Sequence, residues 1–240
     1  MTAEPKIRSV AGEAIAKYRM ISEGDRILVG LSGGKDSFVL LDVLLTLQKR
    51  APVNFEILSV IVDAGFGMDY TKVEKHLRKL KLRHLVERVN IAGIVRGKID
   101  IKDTGKCCSL CSRLRRGVLY RVAREQKCNK IALGHNLNDA IETLLMNMFY
   151  VSRIDVMRPS YQAEDRKITV IRPLIHVPEA LTAEYAKERR FPLVKQKCLF
   201  RRKDSKRAQI KAFVMGMAKG NPYFYPSLVN ALEKIAAKKS

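Results

Sequence analysis

The chain has 240 residues, 47% of them apolar and 29% charged, which is the composition of a folded globular protein rather than a disordered one. Its 46 Lys and Arg residues outnumber 24 Asp and Glu residues and leave a formal net charge of +22. Because binding to phosphates releases condensed counterions, this excess favours nucleic acid as a partner over membrane. No stretch is long and apolar enough to span a bilayer, and no secretion signal is visible, so we expect a cytoplasmic protein.

Apolar runs alternate with helical patterns along most of the chain. An amphipathic helix over residues 6–21 precedes a buried strand at 27–31 and a largely apolar helix at about 35–49. Continuous apolar strands separated by helices are typical of a parallel sheet covered on both faces. Further strands are expected at 57–62, 85–89, 131–133 and 168–171, with one helix burying Val73, Leu77 and Leu80 and another burying Ile141, Leu144, Leu145, Met148 and Phe149.

From about Glu179 onward the pattern is helical. We therefore predict an α/β fold, a doubly wound parallel sheet with a helical N-terminal segment and a C-terminal helical extension. The predicted domain covers residues 1–185, and the basic helical extension covers 186–240. In such sheets ligands bind beyond the carboxyl ends of the strands, so motifs at those ends are the candidates for a site.

A glycine-rich loop lies between the first predicted strand and its helix. Its glycines let the backbone turn tightly and direct N–H groups at an anion, and the helix amino terminus adds a positive field. Lys35 can pair with phosphate oxygens and Asp36 can hold Mg²⁺. The loop is not a Walker A motif, because Val29 stands where the first glycine of that motif belongs. The residues of this predicted phosphate loop are Leu31, Ser32, Gly33, Gly34, Lys35, Asp36 and Ser37.

The string SGGKDS resembles the signature of the PP-loop ATP pyrophosphatases. That resemblance implies that the loop grips the β,γ-pyrophosphate of ATP while a substrate oxygen attacks the α-phosphorus. Two further strand ends are similar to the superfamily, and they imply ATP contacts from Asp63 and Gly134. Asp139, in a stretch similar to that of tRNA-modifying members, would complete the metal site or act on the base. Asn138 departs from the usual Asp of that stretch.

Purely structural roles for these residues stay open as alternatives. Asp63 and Asp139 could instead be helix caps. For His135 we favour a buried imidazole with satisfied hydrogen bonds over a catalytic role.

The cysteines are odd in number, which argues against a disulfide framework and for metal or redox use. They are Cys107, Cys108, Cys111, Cys128 and Cys198. A CxxC pair, Cys108 and Cys111, is expected to open a helix. Such a pair could hold a structural zinc, or it could react as a disulfide or persulfide, because thiolates at a helix start have a lowered pKa.

The segment CSLCSRLRRG closely resembles the core motif of the tRNA 2-thiocytidine synthetase family, which thiolates cytidine 32 of tRNA. The resemblance implies a [4Fe–4S] cluster on Cys108, Cys111 and a third cysteine, for which Cys198 is the candidate here. One iron would stay open to bind a sulfide. Arg115 matches a basic residue near the active site of related thiolases, and its alternative is a solvated helix face. Cys107 and Cys128 are interpreted as bystanders.

Residues 187–207 hold ten Lys or Arg and two acidic residues, with Phe191 and Phe200 between them. Basic side chains with interleaved aromatic rings suit a folded RNA, and the alternative is a solvated helix end. The family resemblance adds a sulfur donor such as a cysteine desulfurase as a partner, and a homodimer as the usual assembly.

We therefore expect an ATP-dependent tRNA sulfurtransferase that uses ATP, Mg²⁺ and a [4Fe–4S] cluster. It would adenylylate the C2 oxygen of a tRNA base and replace that oxygen with sulfur, releasing AMP and pyrophosphate. Lys35, Arg115 and Asp139 are the expected catalytic residues. The alternatives are thiolation of another nucleotide, a cysteine persulfide in place of the cluster, nitrogen transfer as in lysidine synthetases, RNA binding without catalysis, and a small-molecule or carrier-protein substrate.

Overall fold

A computed structural model describes residues 3–100, 104–164, 167–195 and 205–238. Its six strands form one sheet. They are β1 (Asp25–Leu31), β2 (Phe55–Asp63), β3 (His84–Arg88), β4 (Lys130–Ala132), β5 (Ser160–Gln162) and β6 (Thr169–Ile171).

The strand order is β3-β2-β1-β4-β6-β5, with β1 at the centre between β2 and β4. Ile27 of β1 lies opposite Ile57 of β2 and Lys130 of β4, and all three strands are parallel. The predicted doubly wound α/β fold is confirmed. One edge differs from the prediction, because β5 pairs antiparallel with β6. The polar, three-residue strand Ser160–Gln162 lacks the apolar run that marked the others.

Nine helices flank the sheet in the part of the chain that the structure describes, and none of them is long and apolar enough to cross a bilayer. They are α1 (Ala3–Lys17), α2 (Lys35–Gln48), α3 (Thr71–Lys79), α4 (Ile91–Lys98), α5 (Thr104–Glu125), α6 (Leu137–Val151), α7 (Glu179–Glu188), α8 (Lys206–Ala218) and α9 (Phe224–Ala237).

Three residues that were expected to be buried are exposed instead. Leu80 is 44% exposed because it is the carboxyl-terminal cap of α3, after the last helical turn. Met148 and Phe149 are 43% and 57% exposed, because the described elements leave the last turns of α6 uncovered. All three residues follow the apolar spacing of their helices, but they lie beyond the part of each helix that packs on the core.

The strand order changes direction at β1, because β2 and β3 lie on one side of it and β4, β6 and β5 lie on the other. Doubly wound folds bind ligands in the crevice at such a point. From β1 the connections run outward to β2 and β3, and the chain then crosses back through α5 to β4. A helix that joins two parallel strands begins at the carboxyl edge of the sheet. The first turns of α2 and α6, which follow β1 and β4, therefore lie at that edge. Helix α5 follows α4 and ends before β4; its Leu119 lies 3.3 Å from the Cβ position of Gly30 near the end of β1, so its earlier turns extend beyond the same edge.

Candidate active site at the carboxyl edge of the sheet

The phosphate loop is a tight turn held by its own serines. Gly33 has a φ of +78°, a conformation that L side chains rarely adopt. The Ser37 hydroxyl donates to the carbonyl of Gly34 at 2.8 Å, and the amide of Gly34 donates to the Ser32 hydroxyl at 3.3 Å. No side chain caps the amino terminus of α2 at Gly34. The first N–H groups of α2 can therefore face an anion.

Residues from other parts of the chain approach this loop so closely that only glycine fits. A Cβ on Gly33 would lie 2.6 Å from a methyl carbon of Val194, whose amide donates to the Gly33 carbonyl at 2.9 Å. A Cβ on Gly134 would lie 2.9 Å from the carbonyl carbon and oxygen of Asp36. The loop after β4 thus rests directly on the phosphate loop.

Lys35 stands between two acids. Its ammonium group is 2.8 Å from Asp36 and 3.0 Å from Glu179, which also pairs with Lys211 of α8 at 2.6 Å. Burial alone would lower the pKa of Lys35, but hydrogen bonds and charges from Asp36 and Glu179 raise it above its ordinary value. Burial likewise opposes ionisation of Glu179, yet the two lysines hold its pKa below the usual range. Both groups are therefore charged at neutral pH.

The carboxylate of Asp36 is fixed by side chains from three elements. One oxygen accepts from the Thr182 hydroxyl at 2.6 Å and from the Asn136 amide at 3.2 Å, and the other faces Lys35. A carboxylate held beside a phosphate loop fits a Mg²⁺ that bridges nucleotide oxygens. Thr182 and Glu179 were missed at the sequence level because both lie on α7, far along the chain and in no motif.

Asp139 is the N3 residue of a capping box at the start of α6. Its carboxylate accepts from the backbone N–H of Asn136 at 3.1 Å and pairs with the guanidinium of Arg207 at 2.7 Å. Arg207 also reaches Glu142 at 2.8 Å. Burial raises the pKa of Asp139 above its ordinary value, although Arg207 and the capping bond oppose this. Asp139 thus has the helix-capping role that was the alternative for it. Arg207 is a further site residue that the sequence did not reveal.

Asn138 occupies the position at which the resembled motif has an aspartate. Its side chain is 3% exposed; the amide oxygen accepts from the backbone of Glu179 at 2.9 Å, and the amide nitrogen donates to the Tyr225 hydroxyl at 3.2 Å. An amide can accept and donate at once, so it joins α6, α7 and α9. The departure from aspartate therefore has a structural reason in this chain.

Asp63 ends β2 and accepts from the backbone of Gly65 at 3.1 Å, so it shapes a turn and does not cap a helix. Its charge and that of Arg115 both act on Tyr70, whose pKa is raised chiefly by burial. The ring of Tyr70 lies 3.5 Å from the position of a Cβ on Gly33. The buried Tyr70 thus packs against the phosphate loop and experiences the charges of both Asp63 and Arg115.

The CxxC pair lies in α5, which starts at Thr104, so the cysteines follow the first turn of the helix and do not open it. Cys108 is exposed and Cys111 is half-buried, and their spacing of three places them on one helix face. Cys107 and Cys128 are buried and approach the carbonyls of Asp100 and Gln126. Cys198 lies outside the described residues, within which no group of three or more metal-binding side chains occurs.

Arginines follow the cysteines along α5. The Nε of Arg115 is buried without a hydrogen-bond partner in the described part of the chain, a costly arrangement that a ligand could relieve. Arg113 and Arg116 are exposed, and neither forms an ion pair with any described carboxylate. The amino-terminal half of α5 therefore carries three arginines that have no carboxylate partner among the described residues.

Comparisons with known proteins agree with this geometry. Residues 4–216 match the family described as a PP-loop domain. A tRNA-cytidine(32) 2-sulfurtransferase from Geotalea uraniireducens is 41% identical over 232 residues, which cover 96% of this chain and 91% of the relative. One from Deinococcus radiodurans is 48% identical over 191 residues, which cover 79% of this chain and 63% of the relative.

Among solved structures, the U34-tRNA thiolase NcsA from Methanococcus maripaludis, determined with its [4Fe–4S] cluster, has a TM-score of 0.79. It is 22% identical and is matched over 98% of this chain and 80% of its own, a likeness that bears on the fold. The extent and identity of the sequence matches confirm the resemblance drawn from SGGKDS and CSLCSRLRRG. The chain belongs to the PP-loop proteins and, among them, to the enzyme family of the tRNA-cytidine(32) 2-sulfurtransferases.

Proposed function

We propose that this protein thiolates cytidine 32 of tRNA in two steps at the crevice between β1 and β4. The C2 oxygen of the base attacks the α-phosphorus of ATP and expels pyrophosphate. Sulfur then replaces that oxygen, which leaves as part of AMP. The observation that supports the proposal is that Tyr70, whose ring lies 3.5 Å from the Cβ position of Gly33 in the phosphate loop, also experiences the charge of Arg115 on the CxxC helix.

The phosphate loop supplies the groups that the first step needs. The uncapped start of α2 and the ammonium of Lys35 would hold the β- and γ-phosphates and neutralise the charge that builds on pyrophosphate as it leaves. Asp36 would hold Mg²⁺ against the same oxygens. Gly134 lies against Asp36 and Asp63 ends β2, and we propose that both border the nucleotide.

Asp139 is proposed as the second carboxylate of this step. Burial is the main cause that raises the pKa of Asp139, and the charge of Asp36 adds to it, so the two carboxylates interact. Paired carboxylates are the oxygen ligands that Mg²⁺ prefers, and Arg207 keeps Asp139 available as an anion. Because Asp139 also caps α6, its contribution to chemistry must be separated from its contribution to folding.

Cys108 and Cys111 fit a [4Fe–4S] cluster as two thiolates on one helix face, one of them exposed. Cys198 is proposed as the third ligand. Two described residues on either side of Cys198 in the chain contact the site. Val194 donates to the carbonyl of Gly33, and Arg207 pairs with Asp139. When bound, the cluster would supply the sulfur atom. Arg115, with its unpartnered Nε, would hold the anionic leaving group or the base beside it.

The partners of the reaction follow from the charge and from the family. A net charge of +22 and the unpaired arginines of α5 suit the phosphate backbone of tRNA. We further propose that a cysteine desulfurase or a similar enzyme supplies the sulfur, that the protein acts in the cytoplasm, and that a homodimer is the assembly. Residues 186–240 are proposed as a helical extension of the domain, in which the basic segment 187–207 contacts RNA.

The direct experiment is mass spectrometry of tRNA nucleosides from a strain that lacks this gene and from its parent. We expect 2-thiocytidine to vanish in the deletion strain and to return with the wild-type gene but not with a Cys108→Ala copy. Unchanged 2-thiocytidine in the deletion strain contradicts the proposal. Loss of 2-thiouridine instead would move the target to another nucleotide.

Two measurements on the purified protein separate the alternatives. Iron at background after anaerobic purification, with thiolation intact, would favour a cysteine persulfide over the cluster. ATP-dependent AMP release without RNA would favour a small molecule or carrier protein as the substrate. RNA-dependent AMP release without sulfur incorporation would favour nitrogen transfer, and no AMP release would favour an RNA-binding protein.

A further inference from the structure

A histidine and a buried arginine meet at the carboxyl ends of neighbouring strands. His135 follows β4 and Arg172 follows β6, and the Nε of Arg172 donates to the Nδ1 of His135 at 3.3 Å. Arg172 is only 7% exposed. Its guanidinium also donates to the carbonyl of Arg158 and lies 5.1 Å from the ring centroid of Tyr161. No described carboxylate forms an ion pair with it.

This contact fixes the chemical form of the imidazole. A guanidinium Nε carries a hydrogen and only donates, so the Nδ1 of His135 must be a bare acceptor. The single proton of the neutral ring is then on Nε2. Protonation of Nδ1 would set two N–H groups against each other and add a positive charge beside Arg172, Arg207 and Arg116. Burial first, and then these three charges, lower the pKa of His135 to about 3.

His135 therefore stays neutral at physiological pH and cannot exchange protons as a general acid or base. It keeps a permanent N–H donor on Nε2, which is hydrogen-bonded to none of the described residues. The preceding residue, Gly134, packs against the backbone of Asp36 and Ser37, so His135 is one residue away from a direct contact with the first turn of α2. The charges that act on His135 are all positive, which favours an anionic oxygen as the acceptor over a neutral base carbonyl.

We infer that His135 donates a hydrogen bond from Nε2 to a phosphoryl oxygen of the bound nucleotide, with Arg172 as the positioning residue that fixes its tautomer. The inference rests on the proposed adenylylation. As the C2 oxygen bonds to the α-phosphorus and the pyrophosphate oxygen departs with its electron pair, negative charge persists on the non-bridging α-oxygens. A donor held in advance at that point stabilises this charge without reorganisation.

The rate of tRNA-dependent pyrophosphate release tests the donor. His135→Ala should lower kcat by about 100-fold, the usual loss for one preorganised donor, with a smaller effect on KM for ATP. His135→Gln places an amide N–H near the position of Nε2 and should recover the rate to within about tenfold of wild type. His84→Gln, at the start of the edge strand β3, is the matched control, and its rate of pyrophosphate release should equal that of wild type.

The tautomer is tested separately by ¹⁵N NMR of histidine-labelled protein. The wild-type His135 signals should show the proton on Nε2 and no titration between pH 5 and pH 8. In Arg172→Met the pKa of the ring should rise above the wild-type value, because one of the three positive charges is removed, while burial still holds it below the ordinary value of about 6.5. If that variant does not fold, Arg172→Lys, which keeps the charge and shifts the donor, should still raise the pKa or change the tautomer.

Three results would overturn the inference: a proton on Nδ1, titration of wild-type His135 near pH 6.5, or full activity of His135→Ala in an enzyme whose wild type is active. Absence of tRNA-dependent pyrophosphate release from the wild type is a different failure, because it removes the proposed function. The NMR result does not depend on catalysis, so the two failures are distinguishable.

Discussion

The two sides of the crevice carry their positive charges in opposite ways. On the phosphate-loop side, Lys35, Lys211 and Arg207 all lie within 3.0 Å of Asp36, Glu179, Asp139 or Glu142. On the α5 side, Arg113, Arg115 and Arg116 have no described acidic partner. Farther along the same helix, Arg121 is paired again, with Glu87 at 2.6 Å and Glu125 at 2.9 Å.

This difference separates two uses of a cation. Paired charges on the phosphate-loop side hold side chains in position before a small ligand arrives, and a bound nucleotide would exchange one anion for another. Unpaired charges on the amino-terminal half of α5 gain their full electrostatic benefit only when an external polyanion arrives. This difference is what we expect if the phosphate-loop side binds a nucleotide and the amino-terminal half of α5 binds RNA.

The largest expected effect comes from the thiols. Cys108→Ala and Cys111→Ala should each abolish 2-thiocytidine formation, because a cluster cannot be held without its ligands, while ATP binding stays near wild type. Nucleoside mass spectrometry and calorimetric titration with ATP measure the two properties. Cys128→Ala is the control, since this buried cysteine lies at the opposite edge of the sheet near Arg26. Full thiolation by either α5 variant would remove the cluster from the account.

The second effect breaks the nucleotide side. Lys35→Ala or Asp36→Ala should lower the rate of pyrophosphate release by about 100-fold to 1,000-fold, because Lys35 would neutralise the leaving phosphates directly and Asp36 would do so through the Mg²⁺ that it holds. Lys211→Ala removes an ion pair to Glu179 but leaves every residue of the phosphate loop unchanged. It should change the rate by less than about tenfold. Equal losses in all three variants would show that the loop itself has no special role.

The third prediction sharpens the comparison within one helix. Arg116→Gln should weaken tRNA binding by about threefold to tenfold and reduce the slope of log K against log salt by about one, as expected for one lost phosphate contact. Arg121→Gln should leave both values unchanged because Glu87 and Glu125 already neutralise that arginine. Filter binding across a salt series measures both variants. Equal salt slopes for the two would contradict an RNA surface at the amino-terminal half of α5.

The smallest effect concerns stability. The folded-state pKa of His135, about 3, lies below its unfolded value of about 6.5, so the neutral ring stabilises the fold above pH 6.5. That stability is lost as the pH falls from 6.5 toward 3. Between pH 7 and pH 5, wild type should lose about 1 to 2 kcal/mol more than His135→Gln, which does not titrate there. Urea denaturation at the two pH values checks this, and identical losses would contradict it.

Periodicity and motif were sufficient for the fold and for the residues that each motif contains. The buried runs at 27–31 and 57–62 gave the central strands, and SGGKDS and CSLCSRLRRG gave both sides of the crevice. The polar edge strand Ser160–Gln162 was missed, because its pairing with β6 is set by a tertiary contact and not by an apolar pattern.

The partners of the motif residues were also missed. Glu179, Thr182, Arg207 and Lys211 contact the site from α7 and α8, and Arg172 reaches His135 from β6. These are long-range ion pairs and hydrogen bonds between residues of ordinary type, and local sequence carries no signal for them. The alternative of a satisfied histidine was half right, since one nitrogen of His135 is bonded and the other is not.

Activation and sulfur transfer are proposed to act on the same base at one crevice. Incubation of the Cys108→Ala variant with tRNA and ATP labelled at the α-phosphorus tests this proposal most directly, because the activated base should accumulate when sulfur cannot follow. We predict label on tRNA at cytidine 32 with Cys108→Ala and none with Lys35→Ala. Free labelled AMP without labelled tRNA, or label at another nucleotide, would contradict the account.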